Sequence, residues 1–351
     1  MITRKVWELV DLPTNKTIIG SKCFYNIKHD EKNKPKKYKA SIIVRWNRVQ
    51  LDVKSAYLYG KLNEKVYLKH PPGFIVKDAE SKVHLLHKAL YGLHQSGRSC
   101  NCELDHILKN LKFDKLLLSN CLYKNKDVIL VIYVDGIIVF GKTLNEINKT
   151  IALVKSKLDL TELGPEKYLL GVNFEMNKDL FMHQKTYIEK LMIKFKELPK
   201  SNVNLPNKLG SKLPEKIEEK DIVENELMSK FPYRSLTSCL SFLADRTRPD
   251  ISFSVNLMSQ FSNGYTFKYW KIVIDIMNYV FKTKDYKINR SNVKNSNLTC
   301  YTDANWGCNL TNRHSTSGYL IKFGDVIFTW RSSKQKCIAL SSMESEFVAL
   351  C

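Results

Sequence analysis

One stretch limits what this chain can fold into. Residues 128–141 read VILVIYVDGIIVFG, two apolar, β-prone runs separated by Asp135-Gly136. Asp-Gly between two such runs is a strong hairpin signal, because glycine tolerates the positive φ of a tight turn. The pattern predicts a buried two-stranded ribbon with Asp135 at its tip. A carboxylate lifted out of so apolar a context is a turn former or a metal ligand, and this stretch alone leaves both open.

The 351 residues leave room for two or three domains, and a hydrophobic content of 44% provides a core. The charge is lopsided, with 56 Lys plus Arg against 35 Asp plus Glu and a net charge of +21. Such a field favours polyanions and speeds their encounter, although a lysine-rich solvated surface has the same composition. Residues 1–50 alone hold 12 basic and 4 acidic residues. The nine cysteines are odd in number and scattered, which fits a reducing compartment better than a disulfide scaffold. There is no apolar signal core near the start, and no apolar run approaches the ~20 residues that span a bilayer. The expectation is a soluble intracellular protein, cytoplasmic or nuclear, with no membrane partner.

In chain order, residues 17–20, 23–27 and 38–44 read as strands around a basic turn. Residues 51–60, LDVKSAYLYG, read as a strand that delivers Asp52 and then bends sharply. Asp52 taken alone is equally an N-cap or a functional carboxylate. His84, His87, His94, Cys100, Cys102 and His106 cluster without zinc spacing, since ligands two apart on a helix diverge and no Cys-x-x-Cys pair occurs. Apolar spacing predicts helices over 85–93, where Gly92 breaks the pattern, and over 103–112, 144–158, 187–195, 233–261 and 270–281. Strands are expected over 168–176 and 180–183, and polar linkers over 200–230 and 291–296. The last segment opens a new β pattern. A strand over 298–302 leads into Asp303, strands 317–323 and 326–330 flank Gly324-Asp325, and a helix carries Glu344 and Glu346.

A dozen short motifs then fall in register. They include Trp7-Glu8-Leu9-Val10, Pro71-Pro72-Gly73-Phe74, Leu90-Tyr91-Gly92-Leu93, Tyr133-Val134-Asp135, Tyr168-Leu169-Leu170-Gly171, Thr247-Arg248-Pro249-Asp250-Ile251, Tyr301-Thr302-Asp303-Ala304-Asn305-Trp306 and Ser315-Thr316-Ser317-Gly318-Tyr319. In this order they resemble the polymerase region of copia-type LTR retrotransposons, over nearly the whole chain. The resemblance implies an α+β right-hand polymerase followed by a truncated RNase H-like α/β domain. It places partial fingers at 1–48, a ferredoxin-like palm with the nucleotide site at 49–185, a thumb or connection at 186–296 and the RNase H-like segment at 297–351. The implied activity is RNA-directed DNA polymerisation on an RNA/DNA primer–template with deoxynucleoside triphosphates. Two magnesium or manganese ions would be held by palm carboxylates, because hard cations need oxygen ligands. By resemblance Asp52 and Asp135 are two of those carboxylates. The amides of Ser55 and Ala56 would cradle the triphosphate, Tyr57 would lie under the sugar, and Gln95 would line the nucleotide pocket. Asp303 and Glu346 would belong to the RNase H segment.

The sequence also departs from the family pattern. The family motif ends in a second carboxylate where this chain has Gly136, which leaves the turn plausible and removes one metal ligand. Around Val44-Arg45-Trp46 the family carries a few dozen further residues, so the fingers are expected to be incomplete. Ser96-Gly97-Arg98-Ser99-Cys100 lacks the family's proline and is expected to loosen a helix start beside the nucleotide site. The remaining RNase H acids would fall beyond Cys351. The expected function is an impaired reverse transcriptase, and the alternative is a non-catalytic nucleic-acid-binding remnant or domesticated protein.

Overall fold

The computed structural model describes residues 7–10, 46–69, 82–116, 119–165, 167–206, 231–291, 297–309 and 312–351. It divides the chain into two units, Met1–Glu166 and Lys167–Cys351. The expected strands before residue 45, the Val44-Arg45 junction, the Pro71-Pro72-Gly73 loop and most of both expected linkers lie outside the described residues.

In the first unit the described strands are β1 (Trp7–Val10), β2 (Asn47–Val53), β3 (Lys61–Leu68), β4 (Val83–Lys88), β5 (Asp114–Lys115), β6 (Leu122–Lys124), β7 (Val128–Tyr133), β8 (Gly136–Gly141) and β9 (Leu160–Gly164). The described α-helices are α1 (Ser96–Asn110) and α2 (Leu144–Lys155), and a 3-10 turn spans Ala56–Tyr59. Six strands form one antiparallel sheet in the order β5-β6-β7-β8-β2-β9. A smaller sheet has the order β1-β4-β3.

The two apolar runs of 128–141 become β7 and β8, near the middle of the large sheet. Ile137, Ile138, Val139 and Phe140 are all buried, as a strand covered on both faces requires. Alternation along β2 buries Leu51 and Val53 on one face and turns Asp52 to the other. Leu51 and Val53 share a core with Leu104 and Leu108 of α1 and with Ile147, Ile151 and Val154 of α2. Both helices therefore cover the face opposite Asp52. Helix α2 opens on a capping box, with Thr143 accepting from the Glu146 amide and Glu146 accepting from the Thr143 amide.

The second unit holds β10 (Tyr168–Leu169), β11 (Val172–Met176), β12 (Leu180–His183), β13 (Ile288–Asn289), β14 (Leu298–Asn305), β15 (Thr316–Phe323) and β16 (Val326–Lys334). Its described α-helices are α3 (Lys185–Lys194), α4 (Tyr233–Arg246), α5 (Ser252–Ser259), α6 (Phe267–Lys282) and α7 (Ser342–Leu350). Helices α3 to α6 share one core that includes Ile188, Leu236, Leu240, Leu243, Val255, Trp270, Val273 and Met277. Strands β14-β15-β16 form an antiparallel meander, and the Trp330 indole N–H donates to Ala244 O at 2.7 Å, tying β16 to α4.

Three expectations differ from the structure. The strand expected over 168–176 is broken at Leu170-Gly171, both at positive φ. A Cβ at Gly171 would lie 2.7 Å from the Phe242 ring, so only glycine permits that approach. The helix expected over 85–93 is instead the end of strand β4 (Val83–Lys88) and the turn that follows it. The helix expected over 233–261 is two helices, separated by a 3-10 turn at Pro249–Ile251. Proline restricts the residue before it and supplies no N–H, so a continuous helix cannot run through.

That break is held by a buried charge. Arg248 is 2% exposed. Its Nε and Nη2 donate to the two Asp250 carboxylate oxygens at 2.9 and 2.7 Å, and Nη2 also donates to Thr283 Oγ1 at 2.6 Å. The Tyr279 hydroxyl donates to Asp250 Oδ2 at 3.0 Å. Removing one member of a buried pair leaves the other uncompensated. Arg248→Met is expected to destabilise the second unit by about 3 kcal/mol, and Arg248→Lys to rescue little, since an ammonium cannot reproduce the fork. Denaturant unfolding of the full chain checks both variants.

A second buried group responds to pH. His183 is buried on β12, its Nε2 lies 2.9 Å from Glu175 Oε1, and its Nδ1 accepts the Lys185 amide. Burial lowers its pKa from 6.5, against the opposing pull of Glu175, while Lys287 and Lys185 lower it further. The unfolded chain therefore binds this proton more readily than the folded one, and the contribution of His183 is present above about pH 6.5 and lost as pH falls below it. The thermal midpoint is expected to fall between pH 7.5 and pH 5.5, and to fall less in His183→Gln.

Candidate active site

The large sheet brings two acidic residues to one point. The β7–β8 register runs from Val128↔Gly141 to Tyr133↔Gly136, so the loop is Val134-Asp135 and Gly136 is already in the strand. The expected assignment of the turn to Asp135-Gly136 is corrected by one residue. Val134 carries the positive φ, 57°, and Gly136 does not. A positive φ at the first loop residue suits the twist of a two-residue hairpin, but a β-branched residue there is strained by about 1–3 kcal/mol. The Val53 amide donates to Asp135 O at 2.7 Å and fastens this tip to the end of β2. On β2, Asp52 lies directly opposite Gly136. Asp52 and Asp135 are thus neighbours at one end of the sheet, on two chain segments more than 80 residues apart in sequence.

Their proximity is visible in the electrostatics. Partial burial raises the pKa of Asp52, and the Asp135 charge raises it further. Like charges held this close favour a proton or a cation between them. The Tyr91 hydroxyl donates to Asp135 Oδ2 at 3.3 Å. Burial, then the Asp135 charge, pushes the Tyr91 phenol up to about 12, so it stays a donor at neutral pH. The rings of Tyr91 and Tyr57 meet edge to face, 4.2 Å between centroids.

The segment after β2 is shaped by close packing. Ser55 sits in the left-handed region and opens the 3-10 turn, whose Ala56 and Leu58 are buried. The Cys100 thiol of α1 donates to Ala56 O at 3.2 Å, and burial followed by the Asp135 charge pushes this thiol up to about 11, so it remains protonated. A Cβ at Gly60 would lie 2.8 Å from the Cys100 amide nitrogen, so glycine is what lets α1 approach the turn. The start of α1 is not loosened as expected. Ser96 is buried, and its hydroxyl donates to Leu90 O at 2.5 Å. Gln95 immediately precedes the helix and makes no side-chain cap bond.

The structure therefore brings Asp52, Asp135 and Tyr57 together, with Ser55 and Ala56 at the adjoining turn. Gln95 stands four residues beyond Tyr91 on the same connection. Tyr91 was not singled out by residue chemistry. Its only signal was its place in the Leu90-Tyr91-Gly92-Leu93 motif. Among the described residues no group of three or more His, Cys, Asp or Glu side chains is placed to hold a metal. The donors present fit a hard divalent cation in kind, as two carboxylates, and fall short in number. In the second unit Asp303 lies on β14, and Glu346 on α7, which packs against β14; both side chains are exposed. Glu344 accepts the Leu340 amide at 2.6 Å while its own amide donates to Ser341 Oγ, so it braces the helix start that Ser341 caps.

Residues 45–207 match the family model described as reverse transcriptase (RNA-dependent DNA polymerase). The chain is 29% identical over 385 residues to the retrovirus-related Pol polyprotein from transposon TNT 1-94 of Nicotiana tabacum, covering 98% of this chain and 29% of that protein. It is 28% identical over 386 residues to the Pol polyprotein from transposon RE1 of Arabidopsis thaliana, covering 99% of this chain and 26% of that protein. A putative transposon Ty5-1 protein of Saccharomyces cerevisiae is 26% identical over 305 residues, covering 85% of this chain and 97% of that protein. The chain thus spans less than a third of the two plant polyproteins. Among solved structures it is similar to a foamy viral protease-reverse transcriptase in complex with RNA/DNA hybrid, with TM-score 0.44 and 11% identity over 88% of this chain and 36% of that one. With the family model across β2 to α3 and Pol polyproteins aligned along nearly its whole length, this chain is similar to the reverse transcriptase region of copia-type retrotransposon Pol polyproteins.

Proposed function

We propose that the chain is an RNA-directed DNA polymerase unit whose nucleotidyl-transfer site retains Asp52 and Asp135 and is impaired by Gly136. The observation that carries this reading is the meeting of Asp52 with the hairpin tip, in register opposite Gly136 and within electrostatic reach of Asp135. The two carboxylates are hard oxygen donors suited to magnesium or manganese. Such ions, when bound, lower the pKa of a primer hydroxyl and neutralise triphosphate charge. In this reading Ser55 and Ala56 turn backbone amides toward the triphosphate, Tyr57 supports the sugar, and Gln95 borders the nucleotide. The primer–template is an RNA/DNA duplex, drawn by the net charge of +21. In the same reading, partial fingers at 1–48, a palm at 49–185 and a thumb or connection at 186–296 precede an RNase H-like segment over 297–351, with Asp303 and Glu346 as its acids.

Gly136 makes the proposal testable. Residues directly opposite on antiparallel strands share a face, with Cβ atoms about 5 Å apart. A carboxylate at 136 would therefore join Asp52. A Cβ there meets only Tyr133 O at 3.5 Å, an ordinary contact, so the backbone accepts it. Gly136→Asp is expected to raise the rate of primer extension on an RNA template by about 100-fold, and Asp135→Asn in that background to abolish it. A folded Gly136→Asp variant with no gain would overturn the impaired-polymerase reading. If that variant and the parent both bind primer–template, more weakly as salt rises, with no extension, the non-catalytic binding protein is the better description.

A further inference from the structure

Tyr91 belongs to no expected set of site residues, yet its hydroxyl makes the one side-chain hydrogen bond to Asp135 found among the described residues. We propose that Tyr91 is a positioning residue: its hydroxyl, donated to Asp135 Oδ2, turns that carboxylate so that its other oxygen faces Asp52 and a shared divalent cation. The inference rests on the assignment of Asp52 and Asp135 as cation ligands.

The connection that bears Tyr91 is fastened on both sides. The Ala89 amide donates to Gly60 O at 2.9 Å, and the Ser96 hydroxyl donates to Leu90 O. The Leu93 amide closes on Leu90 O at 3.4 Å, and Gly92 takes φ 98°, which completes the turn. The Tyr91 ring is 62% exposed, so burial in the core does not hold it. What orients it is the edge-to-face contact with Tyr57. The hydroxyl is therefore presented to Asp135 by a braced loop and one aromatic neighbour.

The role follows from the position of Asp135. It sits in a two-residue loop whose backbone is fastened to β2, and with glycine at 136 no carboxylate next to it in sequence shares the work of fixing a cation. A hydrogen bond to a ligand's second oxygen selects one orientation and sharpens affinity. Because the bond is long and exposed, its effect belongs at the low end of the range for such partners.

The test is manganese(II) binding to the full chain, followed by electron paramagnetic resonance, with the parent, Tyr91→Phe and the double variant Asp52→Asn/Asp135→Asn. Phenylalanine keeps the ring contact with Tyr57 and removes only the hydroxyl, so the thermal midpoint is expected to stay put. The expected result is one manganese site in the parent, lost in the double variant and about tenfold weaker in Tyr91→Phe. Equal affinity in the parent and Tyr91→Phe would overturn the positioning role and leave the cation site standing. No difference between the parent and the double variant would overturn the cation site, and the role of Tyr91 with it.

Discussion

The first unit depends on the pairing of β2 with β8. That register puts Asp52 opposite Gly136, and the Val53 amide then reaches 2.7 Å to Asp135 O. Neither acid would meet the other without it. A slip of one residue would send Asp52 into the core and Leu51 and Val53 out of it. Burial of those two apolar neighbours, at 0% and 4% exposure, sets the register far more firmly than any attraction between the acids could, since the acids repel. The core places the carboxylates, and their repulsion is held in place by hydrophobic burial.

This separation of fold from chemistry accounts for Gly136. The hairpin needs a positive φ at Val134, not at 136, and glycine at 136 simply continues β8. Glycine there leaves out a side chain beside Asp52 and leaves the packed face of Leu51 and Val53 intact. A chain can therefore keep this sheet and its hairpin whether or not residue 136 carries a carboxylate. In the second unit Glu344 braces the start of a helix, and Asp303 and Glu346 stand exposed.

The sequence carried much of this, unevenly. The hairpin was readable because two long apolar runs bracket a turn, and strand delivery of Asp52 because Leu51 and Val53 alternate around it. The meander of β14 to β16 and the capped helix after it were readable from the same local rules. What failed was anything set by contacts distant in sequence. The positive φ falls on Val134, in a loop that β2 also clamps, and no rule about Asp-Gly contains that clamp. The break at Pro249 was present in the letters, but the apolar spacing on either side suggested one helix, and only the buried Arg248–Asp250 pair shows why two are stable. Strands β10 to β12 looked like a local set, while their onward partner β13 lies more than 100 residues on. Tyr91 was invisible as chemistry because a tyrosine in a connecting segment has no signature until its hydroxyl is seen against a carboxylate.

The account stands on one spatial claim, that Asp52 and Asp135 address a common cation from one end of the sheet. Anomalous diffraction from crystals of the full chain soaked in manganese(II) would examine it directly. A manganese peak bonded to an oxygen of each residue is the predicted result. Crystals in which the two carboxylates point apart, with manganese bound elsewhere or to only one of them, would contradict it.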